Sequence, residues 1–79
     1  MRNLQRSIIK LVSEITGIPE SKITLDSHIS KDLDIDSFKA LEVVFKIEKK
    51  FRIDIPINSL DRVTTVRELV EVVRRLLKE

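Results

Sequence analysis

Cysteine is absent from this chain of 79 residues, and histidine occurs only once. Without cysteine the protein has no disulfide, no thiolate metal site and no cysteine nucleophile, and one histidine cannot form a histidine metal cluster. We therefore expect no bound metal. Any thiol chemistry in which the protein takes part must be supplied by a cofactor.

Glycine, proline and aromatic residues are also scarce, since the chain has one glycine, two prolines, three phenylalanines and no tryptophan or tyrosine. Leucine, isoleucine, valine, lysine, arginine and glutamate are abundant instead, which favours helices over a turn-rich sheet protein. The composition does not shift along the chain, and the length suits one small core. We predict a single all-α domain over residues 1–79.

Long apolar runs and a strong charge imbalance are missing too. No run approaches the length that spans a membrane, and the first six residues lack the apolar block of a signal peptide. We therefore expect a cytoplasmic protein without stable membrane insertion. The 15 basic and 13 acidic residues give a net charge of +2, which is too small and too mixed to indicate nucleic-acid binding.

Capping signals and apolar periodicity predict the first and last helices. The first begins at Leu4 after the N-cap candidate Asn3, and Gly17 is placed to end it in a left-handed conformation. The last follows residues 65–68, Thr-Val-Arg-Glu, which have the form of a capping box. After the first helix, residues 19–35 lack a sustained period and predict a long ordered loop, which in so small a domain suggests a function.

A second helix is predicted from the Asp36–Ser37 step to about Phe51, with Asp36 as its cap. Its apolar positions repeat at helical spacing, and Val43 widens the stripe beyond what one buried face needs. We therefore expect this helix to contact a partner as well as its own core. Residues 57–61 are expected to form a short helical turn. The positions assigned to the buried face are Phe38, Leu41, Val44, Phe45 and Ile47.

One constellation points to function beyond the fold, an acidic loop at residues 32–36 that ends in Ser37 at the first turn of the second helix. The serine hydroxyl should be exposed there, and the free N–H groups and the positive end of the helix dipole favour a phosphate attached to it. The three aspartates could also hold the divalent cation of a modifying enzyme, because hard cations take oxygen ligands. The alternative is that Asp36 and Ser37 are ordinary capping residues.

Residues 32–38, Asp-Leu-Asp-Ile-Asp-Ser-Phe, resemble the attachment motif of the acyl carrier proteins, which is commonly Asp-Leu-Gly-x-Asp-Ser-Leu. The similarity extends over nearly the whole chain in the same order and spacing. It includes residues 16–18, Glu42, Glu48, residues 51–56 and residues 63–66. The sequence is thus identified as similar to a free-standing carrier of this family, which implies that it is not an enzyme.

The resemblance implies a four-helix bundle with a long first loop and a short third helix. Ser37 would receive 4′-phosphopantetheine from coenzyme A, with support from Asp36, and the terminal thiol of this covalent arm would carry acyl groups as thioesters. The implied partners are a phosphopantetheinyl transferase and the acyl-transferring and chain-extending enzymes of fatty acid or related lipid synthesis, which the carrier would meet as a monomer. The residues expected to contact partners are Phe38, Lys39, Leu41, Glu42, Lys46 and Glu48. The residues expected to line the acyl chain are Leu41, Ile47, Leu60, Val63 and Leu69.

Three departures from the family pattern qualify these expectations. Asp34 replaces the usual glycine, which suggests that the backbone there need not be left-handed. Aspartate tolerates that region better than most residues, however, so we expect the loop geometry to be kept. Phe38 replaces the usual leucine after the serine. On the second helix four lysines outnumber Glu42 and Glu48, whereas family members usually present an acidic face. The basic helix favours an alternative function, a dedicated carrier for one specialised acyl product such as a polyketide or an unusual lipid acyl chain.

Two other classes of function are alternatives to a carrier. A hydrolase using Ser37 and His28 would need both side chains within hydrogen-bond reach and a third group to orient the histidine, and nothing in the sequence provides this arrangement. A helical interaction module that is never modified could dock through Phe38, Val43 and the lysines. Exposure to coenzyme A and a phosphopantetheinyl transferase separates such a module from a carrier.

Overall fold

The computed structural model describes residues 3–77, and within this range the chain forms three α-helices and two 3₁₀ turns, with no β-strand. The helices are α1 (Leu4–Thr16), α2 (Ser37–Phe51) and α3 (Val66–Leu77), and the 3₁₀ turns are Glu20–Lys22 and Ile57–Leu60. The all-helical class is therefore confirmed. The predicted short third helix is a single 3₁₀ turn, so four α-helices are not present in the described range. No helix there is both long and apolar enough to cross a bilayer.

Local capping fixes the bounds of α1 where the sequence predicted them. The Asn3 side chain accepts a hydrogen bond from the backbone N–H of Arg6 at 2.9 Å, which satisfies one of the free donors of the first turn. At the other end Gly17 has a φ of 80° and donates its N–H to the carbonyl of Ser13. Only glycine adopts this left-handed backbone without a steric cost, so the helix stops there.

The core lies where α1 packs against both α2 and α3. The loop before α2 contributes to it, since Ile23, Leu33 and Ile35 are buried. The same loop is tied to the start of α3 by backbone hydrogen bonds from Ile29 to Thr64 at 2.8 Å and from Val66 to Ser27 at 3.1 Å. These contacts hold the end of the loop, and with it the start of α2, in a fixed place. The buried helix residues are Leu4, Ile8, Leu11, Val12, Val43, Val44, Ile47, Val66, Leu69, Val70, Val72 and Val73.

The predicted capping box of α3 is present and involves one more residue than expected. Glu68 accepts hydrogen bonds from the Thr64 hydroxyl at 2.7 Å, the Thr64 N–H at 2.7 Å and the Thr65 N–H at 3.0 Å, and its own N–H faces the Thr65 hydroxyl at 3.4 Å. These donors, the Thr64 hydroxyl first among them, lower the pKa of Glu68 from its ordinary value of 4.5 to about 2. The ionised carboxylate therefore stabilises the junction that holds the loop against α3.

The stability of the protein should depend on pH through the ionisation of Glu68. Because its pKa is lower in the folded chain than in the unfolded one, its contribution is complete above pH 4.5 and is lost as the pH falls towards about 2. We expect the free energy of unfolding of the wild type to decrease over this range more steeply than that of Glu68→Gln, measured by urea denaturation at several pH values. Parallel pH profiles for the two proteins would contradict this assignment.

Candidate functional site

Ser37 is the first residue of α2, and its side chain is exposed. The preceding Asp36 caps the helix, since its carboxylate accepts a hydrogen bond from the Lys39 N–H at 2.9 Å and its carbonyl accepts one from Ala40 at 2.8 Å. The cap leaves other N–H groups of the first turn free, at the positive end of the helix dipole. The hydroxyl of Ser37 thus stands at a place that favours a covalently attached phosphate.

The loop before Ser37 has a left-handed turn at Asp34. Asp34 has a φ of 54° and lies between Leu33 and Ile35, which are both buried. Asp34 therefore keeps the left-handed geometry in place of glycine, and the expectation that the loop geometry is kept is confirmed. The chain turns here to bury the residues on both sides, and aspartate is among the few side chains that tolerate the conformation. The turn brings the chain directly to the cap of α2.

His28 and Asp32 are parts of the loop's own hydrogen-bond network. His28 Nδ1 accepts a hydrogen bond from the Lys31 N–H at 3.1 Å, and the His28 N–H donates to the Asp32 carboxylate at 2.7 Å. The Nδ1 atom of His28 is therefore directed to the loop backbone, and no hydrogen bond joins His28 to Ser37 among the described residues, which disfavours a serine–histidine pair. Two of the three aspartates, Asp32 and Asp36, likewise satisfy backbone donors. Among the described residues no three histidine or carboxylate side chains converge on a metal position.

An apolar cavity of about 100 Å³ lies in the core next to α2. Leu60 and Val63 from the second 3₁₀ turn and the residues after it, with Leu69 from α3, form part of its wall. A shallower depression of about 260 Å³ has Asp36 and Ser37 on its edge. The two spaces share four lining residues, Ile29, Ile35, Ala40 and Val63. Ser37 is thus connected over a short apolar surface to a cavity in the core.

A family model described as a phosphopantetheine attachment site matches residues 6–73. An acyl carrier protein of Rhodococcus erythropolis (strain PR4 / NBRC 100887) is 34% identical over 83 aligned residues, which cover 100% of this chain and 91% of the relative. The chain belongs to the acyl carrier protein family. An acyl carrier protein of Rickettsia bellii (strain RML369-C) is 28% identical over 72 residues, covering 91% of this chain and 84% of that one. The protein is therefore a carrier and not a catalyst, and its cofactor is a covalent 4′-phosphopantetheine.

The start of α2 fits this cofactor of the acyl carrier family. The group needs an accessible hydroxyl, a favourable place for its phosphodiester and a surface for the arm beyond it. Ser37 supplies an exposed hydroxyl at a helix N-terminus, and the neighbouring depression leads to the apolar cavity. Ala40, one helical turn after Ser37, is the small residue at the junction of the two spaces. Sequence reasoning missed Ala40, although one alanine among large apolar residues three positions after the serine could have indicated it.

Three of the five residues predicted to line the acyl chain lie at the wall of the core cavity. Leu60, Val63 and Leu69 line the cavity, but Leu41 and Ile47 do not. Leu41 is 46% exposed because it lies on the outer side of α2. Ile47 is completely buried, but it lies further along α2 and is not part of the cavity wall. Ala40, Val43 and Val44 are the residues that α2 contributes instead.

The predicted buried face of α2 is also partly wrong. Phe38, Leu41 and Phe45 are exposed, at 76%, 46% and 61% respectively, whereas Val43 is buried. Both sets of apolar residues have helical spacing, so periodicity alone does not say which of them faces the core. The three exposed residues form an outer apolar stripe that begins next to Ser37. This placement fits the predicted partner contacts of Phe38 and Leu41.

The charged residues predicted to contact partners lie in different environments. Glu42 and Lys46 are exposed, and Lys39 is half-buried. Glu48 has a structural role that the sequence did not indicate, since its carboxylate accepts a hydrogen bond from the Ile55 N–H at 2.8 Å. This bond ties the last part of α2 to the segment that follows it. Glu48 is thus half-buried with an internal bond, and its contact with partners stays a prediction.

Asp36→Ala should lower stability and slow modification together. Loss of an N-cap costs about 1 kcal/mol, and the carboxylate beside the hydroxyl would be gone. Asp36→Asn should keep the cap, because asparagine is an equally good capping residue, while it removes the charge. Urea denaturation and the rate of arm attachment would be measured for both variants. An Asp36→Ala protein as stable as the wild type would show that the bond to the Lys39 N–H does not hold α2.

Proposed function

We propose that Ser37 carries the 4′-phosphopantetheine arm and that the carrier delivers acyl groups, held as thioesters on the arm's thiol, to the enzymes of fatty acid or related lipid synthesis. The observation that supports this proposal is the position of an exposed hydroxyl at the first residue of α2, beside a surface that leads to an apolar cavity. Ser37 provides the attachment oxygen, and Asp36 holds the helix end beneath it. The walls of the cavity would shield the apolar acyl chain from water.

Several finer features belong to the same proposal. Residues 1–79 act as one carrier domain and a monomer in the cytoplasm, and the 3₁₀ turn Ile57–Leu60 takes the place of the short third helix of a four-helix bundle. The partners are a phosphopantetheinyl transferase and acyl-transferring and chain-extending enzymes. They contact the exposed side of α2 through the apolar stripe, with Glu42 and Lys46 beside it.

A second candidate is a dedicated carrier for one specialised acyl product, such as a polyketide or an unusual lipid acyl chain. The basic character of α2 favours it, because Lys46, Lys49 and Lys50 are all exposed, whereas Glu48 is occupied by its bond to Ile55. General enzymes that recognise an acidic carrier helix do so with basic residues, and the lysines of α2 would repel those residues. A comparison of acyl transfer by general fatty acid enzymes and by a specialised synthase separates the two candidates.

The experiment that tests arm attachment is the intact mass of the full chain after incubation with coenzyme A and a phosphopantetheinyl transferase. The expected result is an increase by the mass of one phosphopantetheine, on the peptide that contains Ser37. A chain that stays unmodified with several transferases of different specificity would instead support an interaction module.

A further inference from the structure

A groove of about 460 Å³ lies between α1 and α2 and combines basic and apolar side chains. Four exposed lysines, Lys10, Lys46, Lys49 and Lys50, stand around it. Its apolar surface comes mainly from Phe45, which is 61% exposed, while Leu11 is buried beneath the groove. The groove thus offers lysines beside an aromatic ring that the fold leaves in contact with water.

The groove accounts for the positive charge of the whole chain. Its lining contains four lysines and one carboxylate, Glu14. The chain has 15 basic and 13 acidic residues, so the part outside the groove has 11 basic and 12 acidic residues. The ion pairs of the described residues are Arg67 with Asp26 and Arg74 with Glu71, and neither includes a groove lysine. The lysine charges of the groove are therefore available to an external anion.

The helix dipole explains the position of only two of the four groove lysines. Lys49 and Lys50 lie in the last turn of α2, where cations offset the negative end of the dipole. Lys46 precedes that turn, and Lys10 lies in the middle of α1, where the dipole gives a cation no advantage. The helix dipole therefore does not account for the presence of Lys10 and Lys46 beside the other two lysines around Phe45.

We propose that this groove binds an acidic amphipathic helix of a partner protein. A concave space between two helices, with apolar surface inside and cations around it, matches a helix that inserts apolar side chains and presents carboxylates on its flanks. An anionic bilayer is the poorer fit because the lysines border a concave space, whereas a bilayer presents a flat surface. Single-stranded nucleic acid is also a poorer fit, since one phenylalanine gives no series of stacking positions.

The proposal rests on the proposed function, since the groove shares Phe45 and Lys46 with the partner-contact side of α2, and it extends that surface to the end of α2 farthest from Ser37. Lys49 and Lys50 follow Ser37 by 12 and 13 positions on α2, which at 1.5 Å per residue places them roughly 18 Å along the axis. A partner bound in the groove would hold the carrier at one end of α2 while the other end stays accessible.

The test is a titration of the isotope-labelled full chain, followed by the NMR shifts of its backbone amides. The probe is a synthetic helical peptide of about fourteen residues, with leucines along one face and glutamates along the other. The control peptide has glutamine in place of every glutamate. We expect the acidic peptide to shift the amides of Lys10, Leu11, Phe45 and Lys49, and the glutamine peptide to bind more weakly. The same titration with Ser37→Ala should give the same shifts, so its outcome is independent of arm attachment.

Two charge-matched variants make the test specific to the groove. Lys10→Gln with Lys49→Gln removes two groove lysines, and Lys22→Gln with Lys31→Gln removes two exposed lysines elsewhere. The first variant should weaken peptide binding about three- to tenfold, and the second less than about twofold. Equal weakening by both, equal binding of both peptides, or shifts outside the groove would overturn the proposal. So would groove shifts produced only by vesicles of phosphatidylglycerol and phosphatidylcholine, or only by a single-stranded oligonucleotide.

Discussion

Ser37→Ala is expected to abolish the gain of one phosphopantetheine mass while the fold stays nearly unchanged. The attachment oxygen is lost, so the transferase has no acceptor at the start of α2. The side chain is exposed, and the cap of the helix comes from Asp36 and not from Ser37. A substitution at an exposed position that neither caps a helix nor contacts the core usually changes the free energy of unfolding by no more than about 0.5 kcal/mol.

The matched control for this experiment is Ser30→Ala. Ser30 is also an exposed serine and lines the same depression as Ser37, but it belongs to the loop. Its variant should still gain the full mass, measured on the intact protein together with urea denaturation of both variants. A modified Ser37→Ala protein would disprove attachment at this residue. An unmodified Ser30→Ala protein would show that the transferase acts on the loop serine or depends on it.

The bounds of the helices could be predicted because capping is a local property of the sequence. Asn3 and Asp36 accept hydrogen bonds from the N–H three residues later, and Gly17 supplies the left-handed end of α1. Each signal works within one turn of helix, so no knowledge of the tertiary structure is needed. The start of α2, and therefore the place of Ser37, follows from the same local chemistry.

The orientation of α2 could not be predicted in the same way. Apolar residues occur around most of this helix, and whether Val43 or Phe45 faces inward depends on where α1 and α3 lie. The lining of the cavity could not be predicted for the same reason. Ala40 lines it only because the loop and the residues before α3 surround that side of α2. The hydrogen bond of Glu48 could not be predicted either, because its donor, the Ile55 N–H, lies seven positions later and beyond the end of the helix.

A long acyl chain on the arm should raise the melting temperature of the carrier, and Ala40→Leu should remove this effect. Each methylene that leaves water contributes roughly 0.8 kcal/mol before costs, so even a few methylenes in the cavity of about 100 Å³ should raise the melting temperature of a domain of this size by about 5 °C or more. A leucine at position 40 would occupy the junction between the depression and the cavity and exclude the chain.

The measurement compares the octanoyl form of each protein with its own bare-arm form, so that any change in stability caused by the substitution itself cancels. Leu41→Ala is the control, because Leu41 is adjacent in sequence but lies on the exposed side of α2 and does not line the cavity. It should keep the stabilisation that Ala40→Leu loses. Equal melting temperatures for the two wild-type forms would show that the acyl chain stays in solvent. Loss of the effect in Leu41→Ala alone would place the chain on the outer apolar stripe of α2, where burial against a partner and not the carrier's own core would protect it.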